Sequence, residues 1–322
     1  MNYEELLAAK NGGKLNLTQL PIGEYYRMQQ DGKYRGRVDI RPQLQGNILF
    51  TEGLKQECER NKTLANGHQL HFDPIVENGE ITALEIELGT FQSFQQLLLD
   101  TPAVVAGKDF AENVLEQLVN ITEYLHQQGI RHLCYSPSTV LARKGDNSVM
   151  LLSHGSFYQQ MSDLQGFFGD DAKYVAPEVL NHGTVDDRCD VYSIGRFMEE
   201  LFSVASLPLE FRRAVKKAVS EAPEDRFETP TDMLKSIRKR KDVVRTTTTL
   251  LVALAIALIA VWVYFDWFPE TNPVEFVKPA PRTPTDDLLD DGFDPAELGV
   301  TSQGDSLVYD EAAERDYQAT SC

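Results

Sequence analysis

In the first part of the chain, short runs rich in β-branched and aromatic residues predict strands. The predicted strands are Gly23–Met28, Tyr34–Arg41, Gln69–Val76 and Ile81–Leu88. Asn78-Gly79 between the last two favours a tight hairpin. A helix is predicted over Thr51–Ala65, and Asn66-Gly67 ends it.

From Asp109 onward the period of the apolar positions becomes helical. The apolar positions that recur on one helix face are Val114, Leu118, Ile121 and Leu125. Asp109, followed three residues later by Glu112, is typical of a capping box, so we expect the helix to begin there. Further helices are predicted over Asp190–Phe202, Leu209–Glu221 and Thr231–Lys241. A small β-rich lobe followed by a larger helical lobe makes the expected fold class α+β.

The segment Thr246–Phe265 is a continuous apolar run without a charged residue. Twenty helical residues span about 30 Å, the thickness of the hydrocarbon core of a bilayer. Trp262, Tyr264 and Trp267 cluster at one end, as in an aromatic belt at a membrane interface. The alternative is a buried helix of a soluble domain, but the uncharged length and the basic flank favour one transmembrane helix over 246–265.

The charge is divided unevenly along the chain. The net charge of −18 argues against a nucleic-acid-binding protein, because phosphate recognition needs a basic surface. Residues 1–233 carry −12, residues 234–245 carry +5 and residues 266–322 carry −11. The basic flank predicts that the N-terminal part lies in the cytoplasm and the C-terminal tail outside it. The cysteines are scattered without a CxxC pair, which predicts neither disulfides nor a zinc site.

The tail over 266–322 is acidic and contains several prolines. Such a composition buries too little apolar surface to offset chain entropy, so we expect a largely disordered segment with a short helix near its end. It is either a linker or an extracytoplasmic docking segment.

Four motifs of the cytoplasmic part resemble those of protein kinases, in the same order and at similar spacing. Tyr124–Leu141 (YLHQQGIRHLCYSPSTVL) resembles the helix end and catalytic loop Y-L-H-x-x-G-I-x-H-R-D-x-K-P-x-N-x-L. Tyr174–Glu178 resembles the A-P-E end of the activation segment, Asp190–Gly195 resembles D-V-W-S-x-G, and Glu224–Phe227 resembles D-P-x-x-R-F. The resemblance implies a two-lobed kinase fold with an N-lobe over 1–92 and a C-lobe over 93–241. The added membrane helix is similar to that of bacterial receptor-type Ser/Thr kinases, which implies a bacterial cell (inner) membrane.

The resemblance also assigns architectural roles. It implies that Glu178 pairs with Arg226 to hold the helical lobe together. It implies that Asp190 accepts hydrogen bonds from the catalytic-loop backbone and that His132 packs under that loop.

The positions that carry the chemistry in this family differ here. The catalytic aspartate corresponds to Cys134, the phosphate-contacting lysine to Ser136 and the Mg²⁺-binding asparagine to Thr139. The D-F-G motif reads Ser153-His154-Gly155, and the threonine before the end of the activation segment corresponds to Asp171. Phosphoryl transfer needs a carboxylate near the acceptor hydroxyl and oxygen ligands for Mg²⁺. The sequence therefore predicts no catalytic residue, no metal site and no enzyme activity, which defines a pseudokinase.

The N-lobe motifs are less complete. Val38-Asp39-Ile40-Arg41 resembles V-A-I-K, with Arg41 at the position of the lysine and Glu57 as its candidate ion-pair partner in a remnant nucleotide cleft. Arginine is larger and forked, so it is not equivalent to lysine there, and Arg41 is alternatively a surface residue at a strand edge. No cofactor is predicted, although weak metal-independent nucleotide binding is compatible with such a cleft.

The predicted function is that of a membrane-anchored scaffold or regulator that binds protein partners at the cytoplasmic face. One alternative is an unorthodox kinase or nucleotide transferase with relocated acids, for which the candidates are Glu57, Asp163, Asp170 and Asp171. A second is a membrane assembly component that acts through its transmembrane helix and tail. A nucleophilic Cys134 beside His132 and His154 is a further chemical alternative.

Overall fold

Two sheets form the β-structure of the first 152 residues in this computed structural model, which describes residues 13–30, 33–152, 161–267, 300–303 and 306–309. The five strands of the first sheet are antiparallel in the order β1-β2-β3-β5-β4. They are β1 (Leu15–Leu20), β2 (Gly23–Gln30), β3 (Lys33–Ile40), β4 (Phe72–Glu77) and β5 (Glu80–Ile86). Val38 and Ile40 of β3 are buried, and their neighbours Arg37 and Asp39 are partly exposed. This alternation is expected of a sheet with one packed face.

Two helices pack with this sheet, α1 (Pro42–Gln45) and α2 (Ile48–Thr63). The helix predicted over Thr51–Ala65 begins three residues earlier, because the side chain of Asn47 accepts a hydrogen bond from the Phe50 N–H and caps it. The two lobes are joined by β6 (Phe91–Ser93), which pairs with β7 (Val140–Arg143), and β7 pairs with β8 (Val149–Leu151).

The second lobe is helical. Its helices are α3 (Phe94–Asp100), α4 (Pro102–Val105), α5 (Lys108–Gln127), α6 (Leu164–Phe168), α7 (Pro177–Leu180), α8 (Asp187–Leu201) and α9 (Leu209–Ala218). Its core is built by α5, α8 and α9, with Leu118, Phe197 and Phe211 fully buried. The fold is thus the predicted α+β arrangement, with a β-rich lobe before a helical one.

The helix start predicted at Asp109 is wrong. Gly107 is the N-cap of α5 and makes no side-chain hydrogen bond there, and Asp109 lies inside the first turn. Glu112 does not close a capping box and instead accepts a hydrogen bond from Lys241 at 2.5 Å. The predicted apolar face is confirmed, since Val114, Leu118, Ile121 and Leu125 are all buried.

A single long helix, α10, runs from Pro230 to Trp267. It unites the two helices predicted over Thr231–Lys241 and Thr246–Phe265. Its first turns bury Met233, Leu234 and Ile237, and its later part is an exposed apolar segment with a mean hydropathy of 2.4. Within the described residues, this is the one helix long and apolar enough to cross a membrane.

The chain divides into two units, and the first ends at Leu254. In the second unit, β9 (Val300–Gln303) pairs antiparallel with β10 (Ser306–Tyr309). The described residues of the tail are therefore strands, and the short helix predicted near the end of the tail is not tested by them. The rest of the tail lies outside the described residues.

Candidate active site

The loop over residues 131–139 connects α5 to β7 and is held by one buried carboxylate. Asp190 of α8, which is 0% exposed, accepts the Leu133 N–H at Oδ1 (2.6 Å) and the His132 N–H at Oδ2 (3.0 Å). Leu133 has a φ of 70°, a left-handed conformation that is unfavourable for a branched side chain. Such strain persists where the surrounding contacts impose it, and here Asp190 imposes it.

Two further groups, on α5 and α8, hold the loop through Tyr135. The Tyr135 N–H donates to Ser193 Oγ at 2.6 Å, and the Tyr135 hydroxyl lies 2.6 Å from Thr122 Oγ1. His132 is buried, and its ring stacks on that of Tyr135 with the centroids 4.3 Å apart. Asp190 thus binds the loop backbone, and His132 packs against Tyr135 within the loop.

His126 completes this arrangement, although no role was predicted for it. Its Nε2 lies 2.7 Å from Oδ2 of Asp190, and its Nδ1 lies 3.5 Å from Oδ2 of Asp187. Burial disfavours the imidazolium, but the hydrogen bond and charge of Asp190, together with the charge of Asp187, raise the pKa of His126 despite the nearby Arg131. The histidine of the Tyr124-Leu125-His126 motif was the available signal, but its partner lies in a distant helix.

This pair predicts a pH dependence of stability. The contribution of protonated His126 is fully present below the ordinary histidine pKa of about 6.5 and is lost as the pH rises through the raised folded-state pKa. We expect the free energy of unfolding to fall on the order of 1 kcal/mol more in the wild type than in His126→Gln over that range. Urea unfolding of the full chain in detergent at pH 6 to 9 measures this. His182→Gln, which changes an exposed histidine, should keep the wild-type slope.

Cys134, at the position of the family's aspartate, is 1% exposed. Burial and the neighbouring charge of Asp171 raise the pKa of its thiol well above the usual range. A nucleophilic cysteine needs the opposite shift, because the thiolate is the reactive form. The alternative of a reactive Cys134 therefore does not fit this site.

Three hydroxyl side chains fill the positions next to Cys134. Ser136 Oγ lies 2.8 Å from Ser138 Oγ and 3.1 Å from Thr139 Oγ1. Thr139 Oγ1 also donates to the carbonyl of Cys134 at 2.9 Å. Thr139, which stands at the family's Mg²⁺-binding position, thus hydrogen-bonds to other residues of the loop.

Asp171 supplies a carboxylate to this loop from the end of the activation segment. Its Oδ2 accepts a hydrogen bond from Ser138 Oγ, and the residue is half-buried. Burial raises the pKa of Asp171 above its ordinary value, while hydrogen bonds from Ser138 and Ser136 act in the opposite direction. Cys134 is closed to solvent, whereas Asp171 is half-buried and its carboxylate reaches the same loop.

The other candidate acids lie elsewhere. Glu57 is buried on α2, and Asp163 caps α6 by accepting the Gly166 N–H at 2.8 Å. Asp170 is exposed. Arg41 donates from Nη2 to the Phe167 carbonyl at 3.1 Å. Arg41 thus contacts α6. Its pairing with Glu57 stays a prediction.

The described residues do not fit the Mg²⁺ site that the resemblance implies. The part of the chain that the structure describes contains no group of three or more His, Cys, Asp or Glu side chains able to hold a metal ion. Thr139 is engaged within the loop, and Mg²⁺ prefers several oxygen ligands in octahedral geometry. The Ser153 and His154 positions lie outside the described residues.

Glu178 and Arg226 form a forked ion pair. The Arg226 guanidinium donates from Nη1 to Oε1 of Glu178 at 2.5 Å and from Nη2 to Oε2 at 2.9 Å. Burial disfavours the carboxylate, but these hydrogen bonds outweigh it and hold the pKa of Glu178 below its ordinary value. Further bonds run from Arg226 to the Ser220 and Glu221 carbonyls at 2.7 and 2.8 Å. The segment between α9 and α10 is thereby closed on itself and joined to α7 at one point.

Comparison with known proteins shows the family to which the chain belongs. The protein kinase domain model matches residues 49–253, which is more than half of the chain. A probable myosin light chain kinase of Dictyostelium discoideum is 29% identical over 153 residues, covering 45% of this chain and 42% of that protein. Protein-tyrosine kinase 6 of Homo sapiens is 23% identical over 189 residues, covering 57% and 42%. The chain thus spans less than half the length of these curated relatives.

Solved structures show the same fold. The PknI kinase domain of Mycobacterium tuberculosis has a TM-score of 0.56 at 19% identity, covering 70% of this chain and 95% of that one. The apo form of PpkA-294 has a TM-score of 0.54 at 17% identity, covering 67% and 92%.

The prediction that the chain is not an enzyme is wrong. It was drawn from the residues at four family positions, whereas the family match and the kinase relatives point to a protein kinase. A missing side chain at one position does not exclude a group supplied from another part of the chain. By the match over residues 49–253, this chain belongs to the protein kinase domain family.

Proposed function

We propose that this chain is an atypical protein kinase, anchored in a membrane, which transfers a phosphoryl group from a nucleotide to a protein hydroxyl. The observation that carries the proposal is the half-buried Asp171, whose carboxylate is hydrogen-bonded to Ser138 on the loop that carries the buried Cys134. In this proposal Asp171 takes the role that the family assigns to the catalytic-loop aspartate.

The rate of phosphoryl transfer depends little on the strength of the base. Kinase catalysis rests mainly on positioning and electrostatic stabilisation. The oxygen of the acceptor hydroxyl would bond to the γ-phosphorus while the bond to the leaving diphosphate breaks. Asp171 would accept the proton of that hydroxyl. Burial brings the pKa of Asp171 upward, closer to the working pH, where a general base is more effective.

Nucleotide binding in this proposal is weak and independent of a metal, because the described residues do not fit a Mg²⁺ site. The cleft near Arg41 is the proposed location, since Arg41 presents a cation between the sheet and α6. A thermal-shift titration with ATP, run with and without Mg²⁺ or Mn²⁺, separates metal-independent from metal-dependent binding.

The membrane placement is supported by charge and hydropathy. Residues 234–245 carry +5 next to the apolar segment of α10. The positive-inside rule then places the kinase domain at the cytoplasmic face of the cell (inner) membrane, with the acidic tail outside.

The test of the function is a single substitution. We expect Asp171→Asn to lower the rate of radiolabel transfer from ATP to a protein acceptor by about 10²–10⁴-fold, the contribution of a positioned base. Asparagine keeps the size of the side chain and an acceptor for Ser138, so the melting temperature should change little. The matched control, Asp170→Asn, alters the exposed neighbour and should retain transfer within about twofold.

Two results would contradict the proposal. Equal transfer by Asp171→Asn and wild type would exclude Asp171 as the base. No transfer by wild type under any metal condition would favour the second candidate, a regulator that binds protein partners at the cytoplasmic face. That candidate is favoured by Ser136 and Thr139, which stand at the lysine and asparagine positions of the family's loop.

A further inference from the structure

An exposed patch of basic and apolar side chains lies where α9 begins and α10 approaches its apolar segment. We call it the interfacial patch, and its members are Leu209, Arg212, Arg213, Lys239, Arg240 and Val243. We propose that this patch binds the headgroups of anionic phospholipids. The proposal rests on the membrane placement proposed above.

The two helices that carry the patch are joined by a direct contact. Arg240 Nε of α10 donates to the carbonyl of Leu209, the first residue of α9, at 3.1 Å. Val243 lies three residues after Arg240 and four after Lys239, and Arg213 lies four after Leu209. Residues at these spacings share a helix face, so the basic and apolar members form one surface.

Neighbouring cations of α10 are already paired with the protein. Arg238 lies 2.8 Å from Glu116, and Lys241 lies 2.5 Å from Glu112, both on α5. These pairs fix the start of α10 against the helical lobe. By contrast, no hydrogen bond or ion pair between described residues engages the side chains of Arg212, Arg213 or Lys239, so these three charges are open to a ligand.

The apolar members of the interfacial patch indicate the class of ligand that it binds. Leu209 is 57% exposed and Val243 is 56% exposed. Large apolar side chains bordered by cations are typical of surfaces that lie in the headgroup region of a bilayer. Val243 precedes the uncharged segment at Thr246 by three helical residues, about 4.5 Å along the axis. A bilayer surface that meets Thr246 therefore also covers Val243, and it does so with phosphate groups near Lys239 and Arg240.

The experiment uses the full chain in nanodiscs of equal parts phosphatidylglycerol and phosphatidylcholine. Spin-labelled forms of the two lipids report which is held at the protein surface. We expect a preference for phosphatidylglycerol that 0.5 M NaCl weakens, because salt screens exposed charges. One cation near an anionic surface contributes about fivefold in affinity, so Arg212→Gln/Arg213→Gln/Lys239→Gln should lower the preference at least about tenfold.

The matched control neutralises three exposed lysines of the other lobe, as Lys33→Gln/Lys55→Gln/Lys62→Gln, and should keep the wild-type preference. If the chain is not retained in nanodiscs at all, the membrane placement fails. If it is retained but shows no preference, or if the patch variant keeps the preference, the lipid proposal is overturned while the membrane placement stands. Equal melting temperatures of wild type and both variants confirm that folding is unaffected.

Discussion

Replacing Arg226 with alanine is expected to lower the free energy of unfolding of the kinase domain by about 3–5 kcal/mol. The Arg226 side chain is 0% exposed, and it joins Glu178 to the Ser220 and Glu221 carbonyls. Alanine leaves the carboxylate, which is 15% exposed, and these carbonyls without their cation. Removing one partner of such a pair costs more than the pair contributes, because the other charge stays buried.

The measurement is urea or thermal unfolding of the full chain in detergent. Arg226→Lys keeps the charge but loses the fork, so it should lose part of this stability. Arg188→Ala is the control, because the Arg188–Glu228 pair is 3.8 Å apart and Glu228 is 81% exposed. Exposed pairs contribute about 0–1 kcal/mol. A loss in Arg226→Ala no greater than in this control would show that the pair does not hold the lobe together.

Replacing Asp190 with alanine is expected to cost about 3–5 kcal/mol and to loosen the loop over 131–139. It removes the acceptor for the His132 and Leu133 N–H groups and the partner of His126. An unsatisfied buried donor costs about 1–3 kcal/mol, and two such donors are created. Leu133 would then be free to leave its left-handed conformation.

Hydrogen exchange of the loop amides distinguishes this loosening from a general loss of stability. Asp190→Asn retains one acceptor oxygen and should fall between wild type and Asp190→Ala, which keeps the test valid if the alanine variant does not fold. Asp186→Asn, which alters the N-cap of the same helix and keeps an acceptor for the Arg188 N–H, should change loop exchange little. Unchanged exchange at Leu133 in both Asp190 variants would contradict the assigned role.

The fold and the architectural residues could be predicted because they depend on patterns within short segments. Apolar spacing located α5, and motif order placed Glu178 and Arg226 in register although 48 residues separate them. The predicted start of α5 was wrong because an acid followed three residues later by a glutamate also occurs inside the first turn of a helix. Dipole stabilisation favours an acid at either place, so the sequence alone cannot separate them.

The candidate site was harder to predict because its groups come from different segments. Cys134 and Asp171 are far apart in sequence, and the structure is needed to show that they meet at one loop, the first buried and the second half-buried. His126 meets Asp190 across two helices, for which no local spacing rule exists. The continuity of α10 was missed because a change from basic to apolar composition marks a change of environment, and a helix can pass through it without a break.

The positions of Cys134 and Asp171 also constrain how this site can evolve. Asp171 accepts a hydrogen bond from Ser138 on the loop that carries Cys134, so an aspartate at both places would bring two carboxylates to one loop. Neighbouring carboxylates disfavour each other's ionisation. The two positions are therefore epistatic: a mutational path between the family's aspartate–threonine pair and this cysteine–aspartate pair passes through a site with two acids or with none.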